Sequence, residues 1–341
     1  MTVPTGRATA PRHSAPAATP AGEPAIVADE LVKTYGDVTA LAGLSFTVDV
    51  GTVFGLLGPN GAGKSTTIKI LTTLSTATSG SASVAGLDVR RDAGDVRRAI
   101  GVVTQGSGTD PMATGRENLL LAGRIHGLRG RAAKSRVDGL LEQFGLAGAA
   151  RRIVKTYSGG MQRKLDVAMG LVHEPAVLFL DEPTTGLDPQ ARADMWAEIA
   201  RLATHERLTV MLTTHYLEEA DHLADRLLIV DRGEAVAAGS PEQLKSELRG
   251  DAVVIELAPD ADPVRADAAV DRLEGTREVT VEGRTIRTRV DHGASAVPAV
   301  LAALEKEAVA VAAVTVARPS LDDVYLRHTG RSFAAAEEVS R

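Results

Sequence analysis

The chain has no cysteine among its 341 residues. Disulfides and thiolate metal sites are therefore excluded, and an oxidising compartment is not required. Aromatic residues make up only 3%, and the formal net charge is −6. A nucleic-acid binder more often shows a basic face with stacking aromatics, so that class is disfavoured. No uninterrupted apolar run approaches the roughly 20 residues needed to cross a bilayer. Long heptad arrays are missing as well. Residues 1–24 are rich in Ala, Pro and Thr and lack the apolar stretch of a signal peptide. The prolines there argue against the amphipathic helix of a transit peptide, so this segment is expected to be a disordered tail.

What is present suits a globular protein with room for two domains: 44% of residues are hydrophobic and 24% charged. From Ala25 to about Gly250 short apolar runs alternate with helical segments, the pattern of an α/β domain. Ile26–Val32 and Leu44–Val50 read as strands of an antiparallel piece. Val53–Leu57, Val177–Leu180 and Thr209–Leu212 read as buried strands, the last two each ending at a polar residue where open α/β sheets place ligands. Residues 107–170 turn helical. Thr114 and Glu117 form a capping box, and Val137, Leu140, Leu141 and Phe144 share one helix face.

After Gly250 the order reads strand 251–257, helix 264–273, strands 277–281 and 284–290, helix 296–307 and strand 309–316. That β-α-β-β-α-β succession predicts a small α+β, ferredoxin-like domain over 251–330. A short capped helix is expected in 319–330, and a charged tail over 331–341.

The segment Gly58-Pro59-Asn60-Gly61-Ala62-Gly63-Lys64-Ser65-Thr66 fits the pattern G-x-x-x-x-G-K-[ST] and lies between a buried strand and a helix. Glycines let backbone N–H groups wrap a phosphate, and the helix N-terminus adds favourable partial charge. Lys64 can reach β- and γ-phosphates, and the Ser65 hydroxyl can bind Mg²⁺. Strand 177–180 runs into Asp181-Glu182-Pro183. Asp181 can hold magnesium through its water shell, and Glu182 can polarise a water for in-line attack.

Those segments, with Gln105, Ser158-Gly159-Gly160-Met161-Gln162, Gly186-Leu187-Asp188 and Thr214-His215, occur in the order of an ABC-transporter ATPase, which residues 25–245 resemble. The resemblance implies a P-loop NTPase fold, with an α/β core sheet, an antiparallel β subdomain and a helical subdomain, plus the C-terminal α+β domain. It implies that Tyr35 stacks on adenine and that Gln105 touches magnesium and the attacking water in the loop that meets the permease. Ser158–Gln162 matches the signature that caps the γ-phosphate of the opposite subunit, with Met161 where the family usually has glutamine. Asp188 matches the loop that communicates across the dimer, and His215 the histidine that contacts the γ-phosphate.

The implied cycle uses ATP and Mg²⁺. Two copies, or one copy and a homologue, close on two ATP molecules, and hydrolysis with Glu182 as base reopens them. A separate integral-membrane permease is implied as partner, with the chain peripheral on the cytoplasmic face of the membrane and no nucleic acid involved. Tyr157–Met161, Thr114–Leu119 and Leu321-Asp-Asp-Val-Tyr-Leu326 resemble the daunorubicin-resistance group, which exports hydrophobic drugs or lipids. The C-terminal unit resembles that group's accessory domain and is expected either to stabilise the dimer or regulate turnover, or to be a passive spacer. The alternative is a non-transport ABC ATPase acting on ribosomes or nucleic acid. It is opposed by the presence of one phosphate loop and no coiled-coil insertion.

Overall fold

The computed structural model describes residues 23–339 apart from 249 and 292, so the expected tail at 1–24 lies almost wholly outside it. The contacts divide the chain into two units. The first comprises the chain up to Leu56, Ala62–Thr214 and Arg232–Glu234, and the second Leu57–Gly61, His215–Asp231 and everything from Ala235. This division differs from the boundary expected at Gly250, for a reason given by the second unit's core.

In the first unit, β1 (Ile26–Tyr35), β2 (Val38–Val48), β3 (Val53–Leu57), α1 (Lys64–Leu71), β4 (Ser79–Val84), β5 (Leu87–Asp88), α2 (Ala93–Ala99) and β6 (Ile100–Val103) come first. They are followed by α3 (Gly115–Ile125), α4 (Gly130–Gln143), α5 (Gly159–Gly170), β7 (Val177–Asp181), α6 (Pro189–Glu206) and β8 (Thr209–Thr214). Strands β2-β1-β4-β5 make an antiparallel sheet. Strands β3-β8-β7-β6 are neighbours, with β6, β7 and β8 parallel. Every residue of β3 and β8 is buried, and so are the first four of β7. This is why these strands read as continuous apolar runs: a parallel sheet is covered on both faces.

The helical segment is built as its periodicity dictates. Thr114 and Glu117 close the capping box at the start of α3. Val137, Leu140, Leu141 and Phe144 are all at most 4% exposed. Arg136 caps the end of the following helix from α4, donating to the Leu171 and Val172 carbonyls at 2.6 and 3.3 Å.

The second unit continues with α7 (Leu217–Leu223), β9 (Arg226–Asp231), β10 (Glu234–Gly239), α8 (Pro241–Ser246), β11 (Asp251–Leu257), α9 (Pro263–Asp271) and β12 (Thr276–Glu282). It ends with β13 (Thr285–Val290), α10 (Gly293–Lys306), β14 (Val311–Ala317), α11 (Leu321–Thr329) and α12 (Phe333–Val339). The antiparallel sheet runs β12-β13-β11-β14, and α9 and α10 cover it through Val253, Ile255, Val270, Ile286, Val300 and Leu304.

Two features differ from the sequence expectation. Residues 331–341, expected as a tail, contain α12, because Phe333 and Ala336 supply an apolar face that is buried. A second core then joins Leu57, Leu227, Ile229, Leu244 and Leu248 to Leu321, Val324, Tyr325 and Phe333. The strand and helices before Gly250 bury their apolar side against α11 and α12, so the contact boundary cannot fall at 250.

The Leu321–Leu326 segment is the hinge of that packing. Ser320 and Asp323 form a capping box at the start of α11. Asp322 accepts from Arg287 at 2.7 Å, and Asp323 lies 3.4 Å from the buried Arg289 guanidinium. Leu321, Val324 and Tyr325 fill the core. One turn of helix thus carries apolar anchors on one side and paired carboxylates on the other.

Candidate nucleotide site

The phosphate loop enters α1 through Gly63, the N-cap, at φ 103°. A side chain there would bring a Cβ within 2.6 Å of the Ala40 carbonyl oxygen, so only glycine fits this approach. The contact boundary falls inside the loop: Gly58, Pro59, Asn60 and Gly61 group with the second unit, and Ala62, Gly63, Lys64, Ser65 and Thr66 with the first.

Five of the residues singled out from sequence meet in the first unit. Lys64 is 4% exposed, and its ammonium lies 3.6 Å from Glu182 Oε1. Ser65 Oγ donates to Asp181 Oδ1 at 3.3 Å. Gln105 Nε2 donates to Glu182 Oε2 at 3.1 Å. Three segments separated by up to 118 positions therefore converge on two carboxylates, because they follow β3, β6 and β7 of one sheet, in which β6 and β7 run parallel. Glu182 sits at φ 48°, an αL conformation uncommon for a non-glycine residue. Its N–H donates to the Thr213 hydroxyl at 3.1 Å, which stabilises that conformation.

A second group gathers at the starts of α5 and α6. Ser158 caps α5, its hydroxyl accepting from Met161 N at 3.2 Å. Asp188 caps α6, accepting from Ala191 N at 2.9 Å ahead of Pro189. Gly160 packs so closely on Ala191 that a Cβ would lie 2.9 Å from the Ala191 Cβ, and Gly159 is exposed. Gln162 Nε2 reaches Thr109 Oγ1 at 3.5 Å. Tyr35 stands apart at the end of β1, 48% exposed, with the Lys33 ammonium 4.7 Å from its ring centre. His215 follows β8 and belongs to the second unit, its ring tilted against Tyr216 at 4.1 Å.

Sequence reasoning missed three residues that hold the site. Arg163, 7% exposed on α5, donates to the carbonyls of Thr104, Asp181, Glu182 and Pro183 at 2.6–3.3 Å. Asp166, one turn on, accepts from Ser107 Oγ and Gly108 N at 2.9 and 3.0 Å. Burial pushes its carboxyl above the ordinary range. Thr213 donates to Asp181 Oδ1 at 2.6 Å. An arginine and an aspartate at i and i+3 behind the Ser158 motif was the available signal, but their partners are backbone and side-chain atoms far along the chain.

A glycine-rich loop, an adjoining lysine and paired carboxylates at the end of a buried strand have the make-up of a P-loop nucleoside-triphosphatase site of the ABC type. Residues 41–185 match the "ABC transporter" family model, and 239–329 match "ATP-binding protein DrrA1-3-like, C-terminal domain". The chain is 45% identical to daunorubicin resistance ATP-binding protein DrrA2 of Streptomyces coeruleorubidus, over 90% of this chain and 95% of that protein. Daunorubicin/doxorubicin resistance ATP-binding protein DrrA of Streptomyces peucetius is 41% identical over 90% of this chain and 92% of its own length. Among solved structures, cbiO1 of Clostridium perfringens, described as part of the ABC transporter complex cbiONQ, superposes with TM-score 0.60 at 26% identity. That match covers 66% of this chain and 91% of that one.

The chain belongs to the ATP-binding subunits of ABC transporters, in the daunorubicin-resistance group. It is an ATP-binding and ATP-hydrolysing subunit that works with a membrane permease. Among the described residues no helix is long and apolar enough to cross a membrane.

Proposed function

We propose that the chain powers efflux of hydrophobic drug-like or lipid-like compounds, as a homodimer on the cytoplasmic face of the membrane, through a separately encoded permease. The observation that carries the chemistry is the convergence of Lys64, Gln105 and Glu182. The buried Lys64 ammonium needs a counter-charge. An ATP γ-phosphate competes with Glu182 for it, freeing that carboxylate to orient the attacking water as general base. Gln105 positions the same carboxylate and water, and His215 contacts the γ-phosphate. Tyr35 stacks on adenine, and the amides of 58–66 cradle the phosphates.

Ser65 and Asp181 offer the hard oxygen donors, a hydroxyl and a carboxylate 3.3 Å apart, that suit Mg²⁺ better than softer metals. Gln105 is the third residue placed to hold it. When bound, the ion supplies charge stabilisation at the phosphate oxygens. Ser158, Gly159 and Gly160, with Met161 and Gln162 behind them, present a capped helix start to the ATP of the opposite copy, and Asp188 lies beside them to report closure.

Next to the Gln105 loop an apolar groove of about 570 Å³ is lined by Leu74, Val102, Ala122, Ile125 and Met169. Leu74 and Ile125 are 65% and 75% exposed, an apolar surface suited to a permease helix. Drug-resistance relatives support the cargo class.

Glu182→Gln is expected to keep ATP bound and abolish turnover. Captured with ATP from detergent-solubilised native membranes, it should bring down a multi-span permease identifiable by mass spectrometry. Recovery of ribosomes or nucleic acid without a membrane protein would overturn the transport assignment, and retained steady-state hydrolysis would overturn Glu182 as base.

A further inference from the structure

We infer that the α3–α4 hairpin is a docking surface for anionic lipid headgroups, a proposal that rests on the transporter reading above. The chain as a whole is acidic, yet between Glu117 and Asp138 it carries no acidic residue and five basic ones: Arg124, Arg129, Arg131, Lys134 and Arg136. Arg136 is committed to the Leu171 and Val172 carbonyls and to Glu174. The other four are exposed, and none has a carboxylate partner among the described residues. Arg124, Arg129 and Lys134 line one concavity of about 420 Å³, floored by Leu120, Leu128 and Ala133. Helix α4 even starts on a basic residue, Arg129 at the N-cap, with no acid in its first turn. Helix dipoles favour carboxylates there, so this placement concentrates positive potential rather than dispersing it.

The same hairpin exposes apolar surface. Leu121 is 56% exposed on the α3 stretch that precedes Arg129, and Leu120 and Leu128 floor the cationic concavity. Cations flanking exposed aliphatic side chains are the combination that binds a bilayer interface, charges to headgroups and aliphatics to the acyl boundary. Placement agrees. Ala122, Ile125 and His126 line the groove assigned to the permease, while Leu120 and Arg124 line the cationic concavity. One helix therefore offers a membrane protein one face and the neighbouring lipid another. Each cation held near an anionic surface contributes roughly fivefold in partition, so four acting independently supply about several hundredfold.

The test is co-sedimentation of the purified full chain with vesicles of equal parts phosphatidylglycerol and phosphatidylcholine, and with phosphatidylcholine alone. Binding is expected only to the anionic vesicles and to weaken with added salt. The variant Arg124→Gln/Arg129→Gln/Arg131→Gln/Lys134→Gln should lose most of that binding while hydrolysing ATP at the parent rate, which shows it is folded. A control with the same charge removed elsewhere, Arg265→Gln/Arg272→Gln/Arg284→Gln/Arg318→Gln, should bind as the parent does. Equal binding to both vesicle types, or undiminished binding by the hairpin variant, overturns the proposal. So does a hairpin variant that binds anionic vesicles normally but fails to capture the permease, which would make the patch a protein contact. Permease capture by the otherwise unaltered Glu182→Gln chain tests the transporter reading separately, so the two failures are distinguishable.

Discussion

Arg163 Nη1 donates to the Thr104 carbonyl at 2.6 Å, while its Nε donates to the Pro183 carbonyl at 2.8 Å. One buried guanidinium on the signature helix thus grips both the residue before Gln105 and the turn after Glu182. The planar fork of arginine can serve carbonyls on two segments at once, which a lysine ammonium on a flexible stem cannot do with the same geometry.

Replacing that group should therefore couple stability to catalysis. Arg163→Ala leaves several buried carbonyls without donors and should cost about 2–4 kcal/mol in unfolding free energy. Arg163→Lys should recover little of it. In both variants kcat should fall further than ATP affinity, because Gln105 and Glu182 lose register while Lys64 remains. Denaturant titration together with steady-state ATPase assays checks this. An Arg163→Lys variant with parental stability and kcat would refute the gripping role.

Ser158 performs a local task that can be separated from its role toward ATP. Ser158→Ala removes the cap of α5 and should cost about 1 kcal/mol, with lowered turnover. Ser158→Asp retains a capping oxygen but sets a negative charge where a phosphate is expected. It should match the parent in thermal unfolding yet show almost no hydrolysis. Equal activity of the aspartate variant would remove Ser158 from the phosphate contact.

His173 sets a pH limit on the folded state. Burial, with the stacked ring of His126 3.6 Å away adding to it, lowers its pKa from 6.5 to about 4. A depressed folded-state value means the unfolded chain takes up the proton first as pH falls. This contribution to stability is therefore intact above about pH 6.5 and is lost progressively as pH falls toward 4. His173→Gln, which can still donate to the Ile100 carbonyl that His173 Nε2 meets at 2.9 Å, should flatten the melting temperature across that window. An unchanged slope would assign the acid sensitivity to other groups.

The C-terminal helices complete a core that begins before Gly250. A chain ending at Gly250 uncovers Leu57, Leu227, Ile229 and Leu248 and should aggregate rather than behave as an independent ATPase domain. Asp323→Ala should act in the same direction on a smaller scale. It removes the capping box of α11 and a counter-charge from Arg289, which is 6% exposed, costing about 2–4 kcal/mol. Dye binding to exposed apolar surface and light scattering measure both. A soluble, cooperatively folding truncation would show the second core to be dispensable.

Much of the site was legible because its chemistry is local. Glycine at 63 and lysine at 64 sit next to each other in the chain, and the glutamate at 182 directly follows a buried strand. Capping at Thr114 was equally local, as its side chain bonds an amide three positions on. Arg163, Asp166 and Thr213 were not legible, since their partners are backbone or side-chain atoms 18 to 59 positions away. Helix α12 was missed because its few apolar residues acquire meaning only against the core they cover.

The sequence by itself determined the class of chemistry, the order of the strands and helices, and the apolar face each presents, since spacing and residue type govern backbone conformation and phosphate affinity within a few positions. Only the tertiary structure decided which distant residues meet at Glu182, that α11 and α12 share a core with β9, and that four exposed cations on one hairpin have no carboxylate partner among the described residues. Those outcomes depend on parallel strand order and on packing between segments far apart in the chain, which no local pattern encodes.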